Sequence, residues 1–241
     1  MPDVLNEKVP VLGLIALNRD VVIEKDLHAL CDPHISLVTT RIPLEQVGAV
    51  EYLMGLGDFL PEAARLVSFS SPRVLAFGCT SAVAIIGAAR IRELVSSSIG
   101  EVPVVDPLTA MAEGLRDLDA AAISVVTPYP TDVSGRVAAW LEEEGFEVLA
   151  NISIDGDHLS YEDVPGALIE TAAERGAAVG AEGLVIACTD LNVIHTIDGM
   201  EERLGLPILT SNQALAWSAA RQLGVEIPSV GRLMSGAAAT S

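Results

Sequence analysis

The stretch "LVIACTDL", residues 184–191, repeats in outline the earlier stretch "LAFGCTSA", residues 75–82. Each sets a cysteine after an apolar run and before a threonine. The two cysteines, Cys79 and Cys188, stand 109 residues apart in a chain of 241. An offset near half the chain suggests two copies of one structural unit, and the rest of the sequence supports that reading. Apolar runs of strand length fall at 9–16, 35–42, 73–78 and 102–105, and again at 122–127, 146–154, 183–187 and 206–209. Most are continuous Val/Ile/Leu runs, the pattern of strands covered on both faces in a parallel sheet. Helical stretches such as "GRVAAWLEEEG", closing on Gly145, lie between them. Strands alternating with helices predict an α/β protein of repeated βαβ units. Overlaying the halves puts Asp20 opposite Tyr129 and Cys79 opposite Cys188.

Composition narrows the class. Half of the residues are hydrophobic, enough for a sizeable core, yet no apolar run approaches the roughly 20 residues of a membrane-spanning helix. The formal net charge of −19 is unsuited to binding nucleic acid or anionic membrane, both of which are held through basic patches. The three cysteines, Cys31, Cys79 and Cys188, are an odd number and widely spaced, which disfavours a disulfide framework and points to a reducing, cytoplasmic setting. The N-terminus lacks the basic stretch of a secretory signal. Cys31, in "HALCDPH", has no strand-end context and reads as structural or as a surface thiol.

Ligands in open α/β sheets bind at the carboxyl ends of the strands, where Cys79 and Cys188 are expected. Each is expected to precede a helix start, with Thr80/Ser81 and Thr189/Asp190 as caps, so that helix N–H groups lower the thiol pKa. Two thiols on opposite walls of one cleft suit racemisation beside a carboxylate, or thiolate addition and elimination that interconverts geometric isomers. No phosphate loop, dinucleotide fingerprint or metal-ligand spacing accompanies them, so no cofactor and no metal are expected.

With these residues in view, the chain resembles the aspartate/glutamate racemase superfamily. Within it the chain is most similar to the branch of maleate cis–trans isomerase, arylmalonate decarboxylase and the racemase-like proteins of ectoine utilisation. The resemblance rests on "IALNRDVVIEKDL", "AFGCTSA", "VTPYPTDV", "VIACTDL", "RLGLPILTSNQALAWSAAR" and "GRLM". It implies two pseudosymmetric flavodoxin-like lobes, each a parallel four-stranded sheet flanked by helices, with the active site at their interface. The expected lobes are residues 1–112 with 212–241, and residues 113–211. It implies a cofactor-independent isomerase of a small carboxylic acid, either a racemase of an amino-acid-like or N-acylated substrate or a maleate-type cis–trans isomerase, working as a homodimer or higher homo-oligomer. The alternatives are an arylmalonate-type decarboxylase using Cys188 and a non-catalytic small-anion binding protein.

Carried over by position, Cys79 and Cys188 match the two thiols and Tyr129 a tyrosine that hydrogen-bonds a substrate carboxylate. Thr80, Ser81 and Thr189 match positions that hold carboxylates. Ser211 and Asn212 fall where the last strand enters the cleft. The decarboxylase has glycine where Cys79 stands. Asp20 falls where maleate isomerase has a substrate-contacting asparagine, and the amide could come instead from Asn18. A carboxylate about 4 Å from a substrate carboxylate costs about 4 kcal/mol at an effective dielectric of 20, which favours a substrate bearing an ammonium or amide N–H. Asp20 could equally cap a following helix. Asp157 and His158 lie near another family contact position.

Overall fold

The computed structural model describes residues 9–45, 50–154 and 160–236. Its first strand, β1 (Val11–Leu17), is apolar along its whole length, and Leu12, Leu14, Ile15 and Ala16 are completely buried. Such a run has no polar face to offer water, so it takes a central place with strands on both sides. It pairs in parallel with β2 (Ser36–Ile42) on one edge and with β3 (Val74–Gly78) on the other, and β3 pairs with β4 (Val104–Val105). The second sheet repeats the plan. Its centre β5 (Ala122–Thr127) lies between β6 (Glu147–Ser153) and β7 (Gly183–Ile186), and β7 pairs in parallel with β8 (Ile208–Thr210). The strand orders, β2-β1-β3-β4 and β6-β5-β7-β8, are the same in each half.

All eight expected strands are present. The edge strands β2 and β6 leave residues along their length partly exposed, whereas β8, three residues long and also at an edge, is fully buried.

The connecting helices are α1 (Ile23–Cys31), α2 (Val50–Gly55), α3 (Leu60–Ser68), α4 (Thr80–Ile86), α5 (Ala88–Ile99), α6 (Pro107–Asp117), α7 (Thr131–Glu143), α8 (Gly166–Ala177), α9 (Ile197–Leu204), α10 (Ser211–Leu223) and α11 (Gly231–Gly236). Helix α7 ends as its sequence suggests, with Gly145 at φ +96°, a conformation that an L side chain rarely adopts. Helix α10 is the buried centre of the molecule. Its small residues Ala214, Ala216, Ala219 and Ala220 are buried, and it packs on α1 and α6. A reciprocal capping box between Thr210 and Gln213 sets its start. The C-terminal part, expected to return as a whole to the first lobe, divides. Helix α10 packs on α1 and β3, whereas α11 packs on α9 and β8 of the second sheet. The cause is apolar: the Leu233 side chain of α11 fills the space left by Gly114 beside Leu209 of β8. Among the described residues no helix is long and apolar enough to cross a membrane.

Candidate active site

Six loops at the carboxyl ends of the strands converge between the two sheets, three from each half. They enclose a small cavity, with about 40 Å³ of space for water-sized groups, lined by residues following β1 (Arg19, Asp20), β2 (Leu44), β3 (Cys79, Ser81), β5 (Tyr129), β6 (Tyr161) and β7 (Cys188, Thr189, Asp190). Leu17 and Leu53 complete the wall. Both sulfurs therefore face one space, each on a residue only 4 % exposed.

Cys79 ends β3 by taking an extended conformation and serving as N-cap residue of α4. Gly78 before it is tightly packed: a Cβ there would crowd Ile23 Cδ1, and that side chain would have to shift. The Cys79 sulfur lies 3.6 Å from the Ser81 hydroxyl. Burial pushes its pKa up to about 11, against the pull of the Ser81 hydroxyl and the Ala82 and Ser81 N–H groups, and the charge of Asp20 adds to the rise. Cys188 differs from the expectation. No helix follows it; residues 189 and 190 form a turn, and the next helical residues are Ile194–Thr196. Its thiol is also held well above the usual range, by burial first, while the Tyr129 hydroxyl and the Asp190 N–H favour the thiolate and the charges of Asp190 and Asp20 oppose it. The low thiol pKa expected from helix N-termini is thus not found in the empty site, because desolvation outweighs the donors.

Tyr129 is fixed from behind. Its carbonyl accepts from the Ser153 hydroxyl, and its ring meets Tyr161 edge to face with centroids 5.5 Å apart. Burial raises both phenols, reinforced by the two thiols, so both stay protonated donors at neutral pH. Asp20 is 2 % exposed, and its Oδ1 accepts from the N–H groups of Val22 and Ile23, so it does cap the start of α1. Arg41 pins this loop by donating to the Leu17 and Asp20 carbonyls while pairing with Glu24. The other Asp20 oxygen, Oδ2, is buried and has no donor apart from the neighbouring Asp190 carboxyl. Asp190 accepts from the Val21 N–H at 3.1 Å, and its pKa rises to about 8 through burial and then the adjacent charge of Asp20.

Of the expected residues, Cys79, Cys188, Asp20, Ser81, Tyr129 and Thr189 line the cavity. Four others stand outside it. Asn18 is exposed and its Oδ1 accepts from the Leu44 N–H, so it braces the loop after β2. Thr80 and Ser211 hydrogen-bond each other at 2.8 Å across the lobe boundary. Asn212 donates to the Thr189 carbonyl at 2.8 Å and to Asp26 at 2.9 Å, holding the Cys188 turn from beneath. Asp157 and His158 lie outside the described residues. The lining residues the sequence reading left out are Tyr161 and Arg19, with the apolar Leu17, Leu44 and Leu53, and Asp190 was given only the role of a helix cap. Asp190 was visible as the acid in "ACTD" and Arg19 as the neighbour of Asp20, but Tyr161 carries no local signal. Among the described residues no group of three or more His, Cys, Asp or Glu side chains is placed to hold a metal ion.

Two parallel-sheet lobes in matching order, with a thiol from each on a shared cavity, define a class of pseudosymmetric two-cysteine α/β proteins. The arylmalonate decarboxylase family profile matches residues 42–234, and the chain belongs to that family. It is 26% identical over 238 residues to maleate isomerase of Nocardia farcinica, covering 92% of this chain and 94% of the relative. Over 119 residues, 48% of this chain and 50% of the relative, it is 30% identical to arylmalonate decarboxylase of Bordetella bronchiseptica. Among solved structures, the Nocardia farcinica maleate cis–trans isomerase bound to TRIS superposes with a TM-score of 0.87 at 25% identity, covering 96% of this chain and all of that one. A cysteine-to-serine variant of that enzyme, with a covalently bound succinylcysteine intermediate, superposes at 0.86 with 24% identity over 94% of this chain and 98% of that one.

Proposed function

We propose that this chain is a cofactor-independent isomerase of a small carboxylic acid, in which Cys79 and Cys188 act from opposite sides of the bound substrate. The observation that supports the reading is the convergence of both thiols, from corresponding strand ends, on one cavity. In racemisation, one sulfur as thiolate takes the proton from the carbon beside the carboxylate, and the opposite thiol gives its proton to the other face. In cis–trans isomerisation, a thiolate adds to one carbon of the double bond while the other carbon takes a proton from the second thiol; after rotation about the new single bond that carbon gives a proton back and the thiolate departs, which re-forms the double bond in the other geometry. The succinylcysteine in the Nocardia farcinica variant supports the second course for that relative. Tyr129, Tyr161, Ser81 and Thr189 supply donors for a carboxylate in a small, largely buried site. The reading carries with it a cytoplasmic, self-associating enzyme.

Either course needs one thiol deprotonated at the start, which the empty site disfavours for both. The Tyr129 hydroxyl at Cys188 and the Ser81 and Ala82 donors at Cys79 are the groups that stabilise a thiolate once it forms. Incubation in D₂O with aspartate, glutamate, an N-acylated diamino acid, a hydantoin, maleate and a malonate, followed by NMR, tests the reading. The expected result is α-deuteration or fumarate formation, lost in both Cys79→Ser and Cys188→Ser. Loss of CO₂ that survives Cys79→Gly would support decarboxylation through Cys188 instead, and silence across the panel despite binding would support a small-anion binding protein.

A further inference from the structure

A threonine follows each of the two cysteines, and consecutive residues of one helix hold them both. The hydroxyl of Thr80, next after Cys79, lies 2.8 Å from the hydroxyl of Ser211, the first residue of α10. The carbonyl of Thr189, next after Cys188, accepts from the Asn212 amide at 2.8 Å. The Thr189 hydroxyl reaches back to the other lobe, 3.5 Å from the carbonyl of Gly78, the residue before Cys79. These three bonds close a ring through Gly78–Cys79–Thr80, Ser211–Asn212 and Thr189. Both thiol-bearing strand ends therefore hang from the start of α10, whose first turn is set by the capping box of Thr210 and Gln213. Thr80 and Ser211 are completely buried, and Asn212 and Thr189 are no more than 4 % exposed. Behind the ring, the Asn212 amide donates at 2.9 Å to Asp26 of α1, a buried acid with no place in the proposed chemistry. Asp26 Oδ1 and Asn212 Oδ1 are buried and have no partner among the described residues. Orphaned oxygens cost free energy that apolar side chains filling the same space would not, so packing alone does not account for this contact.

We propose that Ser211 and Asn212, anchored on Asp26, are positioning residues that fix the span between the Cys79 and Cys188 sulfurs. This rests on the isomerase reading for its effect on turnover, but not for its effect on the sulfurs. Neither residue lines the cavity, so each acts through the threonine it holds. Each sulfur has its own partner, the Ser81 hydroxyl for Cys79 and the Tyr129 hydroxyl for Cys188, and both face the cavity. Two groups working on opposite faces of one carbon must stay a substrate's width apart, and an error of about 1 Å costs on the order of 100-fold in rate. The sulfurs end strands of different sheets, so no strand pairing sets their separation. The ring supplies that tie, joining the end of β3 to the end of β7 directly through Thr189 and Gly78 and again through the buried start of α10. Breaking one of its bonds frees the two strand ends to move independently, while the Tyr129 and Tyr161 hydroxyls that receive a carboxylate stay in place.

The first measurement needs no turnover. Hydrogen peroxide, small enough for the cavity, oxidises one thiol to a sulfenic acid and is itself reduced to water. The sulfenic acid then either condenses with the other thiol, releasing water and forming a Cys79–Cys188 disulfide, or takes a second peroxide to the sulfinic acid. Closing the disulfide requires the sulfurs to approach to about 2.0 Å, so the ratio of the two products, read by peptide mass spectrometry, reports how often they meet. Wild type is expected to favour the sulfinic acid, and Ser211→Ala, Thr80→Val and Asn212→Leu should each raise the disulfide share at least about tenfold. Thr80→Ser keeps the hydroxyl and should restore most of the wild-type ratio. Ile169→Val in α8, a core truncation away from the ring, is the control for lost stability and should leave the ratio unchanged. The second measurement is turnover of whichever acid of the NMR panel reacts. Ser211→Ala should lower kcat at least about tenfold with KM held within about twofold, and adding Thr80→Val should do little further harm, because the two hydroxyls form one bond. A product ratio unchanged in the ring variants, or raised equally by Ile169→Val, would overturn the proposal. So would a rise in KM at unchanged kcat, which would make these hydroxyls substrate contacts. A raised disulfide share with silence across the panel would sink the isomerase reading and leave the brace standing.

Discussion

Replacing Asp20 by asparagine isolates one charge at the heart of the site. Asparagine keeps an oxygen for the Val22 and Ile23 N–H groups, so the cap on α1 survives while the negative charge goes. That charge raises both buried thiols. At a separation of about 6 Å and an effective dielectric of 20, a unit charge is worth about 3 kcal/mol, and its two N–H partners offset part of this. A residual of about 1.4 kcal/mol gives about a tenfold rise in thiolate at any pH below the thiol pKa. The assay is iodoacetamide alkylation followed by mass spectrometry, which reads Cys79 and Cys188 separately. Cys31, buried and raised to about 12 by desolvation and then Asp32, serves as the internal reference. The variant should alkylate at Cys79 about tenfold faster near pH 8 with Cys31 unchanged, and at Cys188 by less, because Asp190 loses the neighbouring charge that raises its pKa and its own charge opposes the Cys188 thiolate. A Cys79 rate–pH profile identical to that of the wild type would refute the electrostatic reasoning.

Three further outcomes follow from the geometry. Because the folded-state pKa of Asp190, about 8, lies above its ordinary 3.8, the folded protein holds that proton more tightly than the unfolded chain. Its contribution is therefore greatest in acid and is lost as pH rises from about 4 through 8; partial exposure leaves about 2 kcal/mol, seen as a gap between wild type and Asp190→Asn that narrows or reverses with pH in denaturant titrations. Gly78→Ala would drive a Cβ into Ile23 Cδ1 and should cost about 1–3 kcal/mol in urea melts. Activity should fall further than stability alone explains, because Cys79 is the next residue. Asn212→Leu should leave the Asp26 carboxyl and the Thr189 carbonyl without their donor, lowering Tm and slowing turnover through the Cys188 turn, with a stability cost of about 2 kcal/mol.

Much of this architecture was legible because parallel strands covered on both faces have few ways to be written. All eight strands lay under apolar runs, and the offset pairing Cys79 with Cys188 and Asp20 with Tyr129 reflects two copies of one sheet order. What escaped depends on contacts made at a distance. Tyr161 reaches the cavity from a turn after β6 that has no counterpart in the pattern, and Leu44 and Leu53 come from the loop and helix after β2. Thr80, Ser211 and Asn212 stand at the right strand ends but point their hydrogen bonds across the lobe boundary behind the site. Thiol acidity was misjudged for a related reason. Sequence shows which N–H groups surround a sulfur but not how completely water is removed, and here removal of water is the larger effect.

The two halves match in strand order but not in what they present to the sulfurs: Cys79 faces a serine hydroxyl and helix amides, whereas Cys188 faces a phenol and an acid-bearing turn. For a racemised substrate the two mirror-image forms must interconvert with an equilibrium constant of one, yet they would surrender their hydrogen to chemically different acceptors. The two directions should then show unequal primary isotope effects and unequal kcat, with KM differing in proportion so that kcat/KM stays equal, a handedness imposed by a scaffold that is nearly its own double.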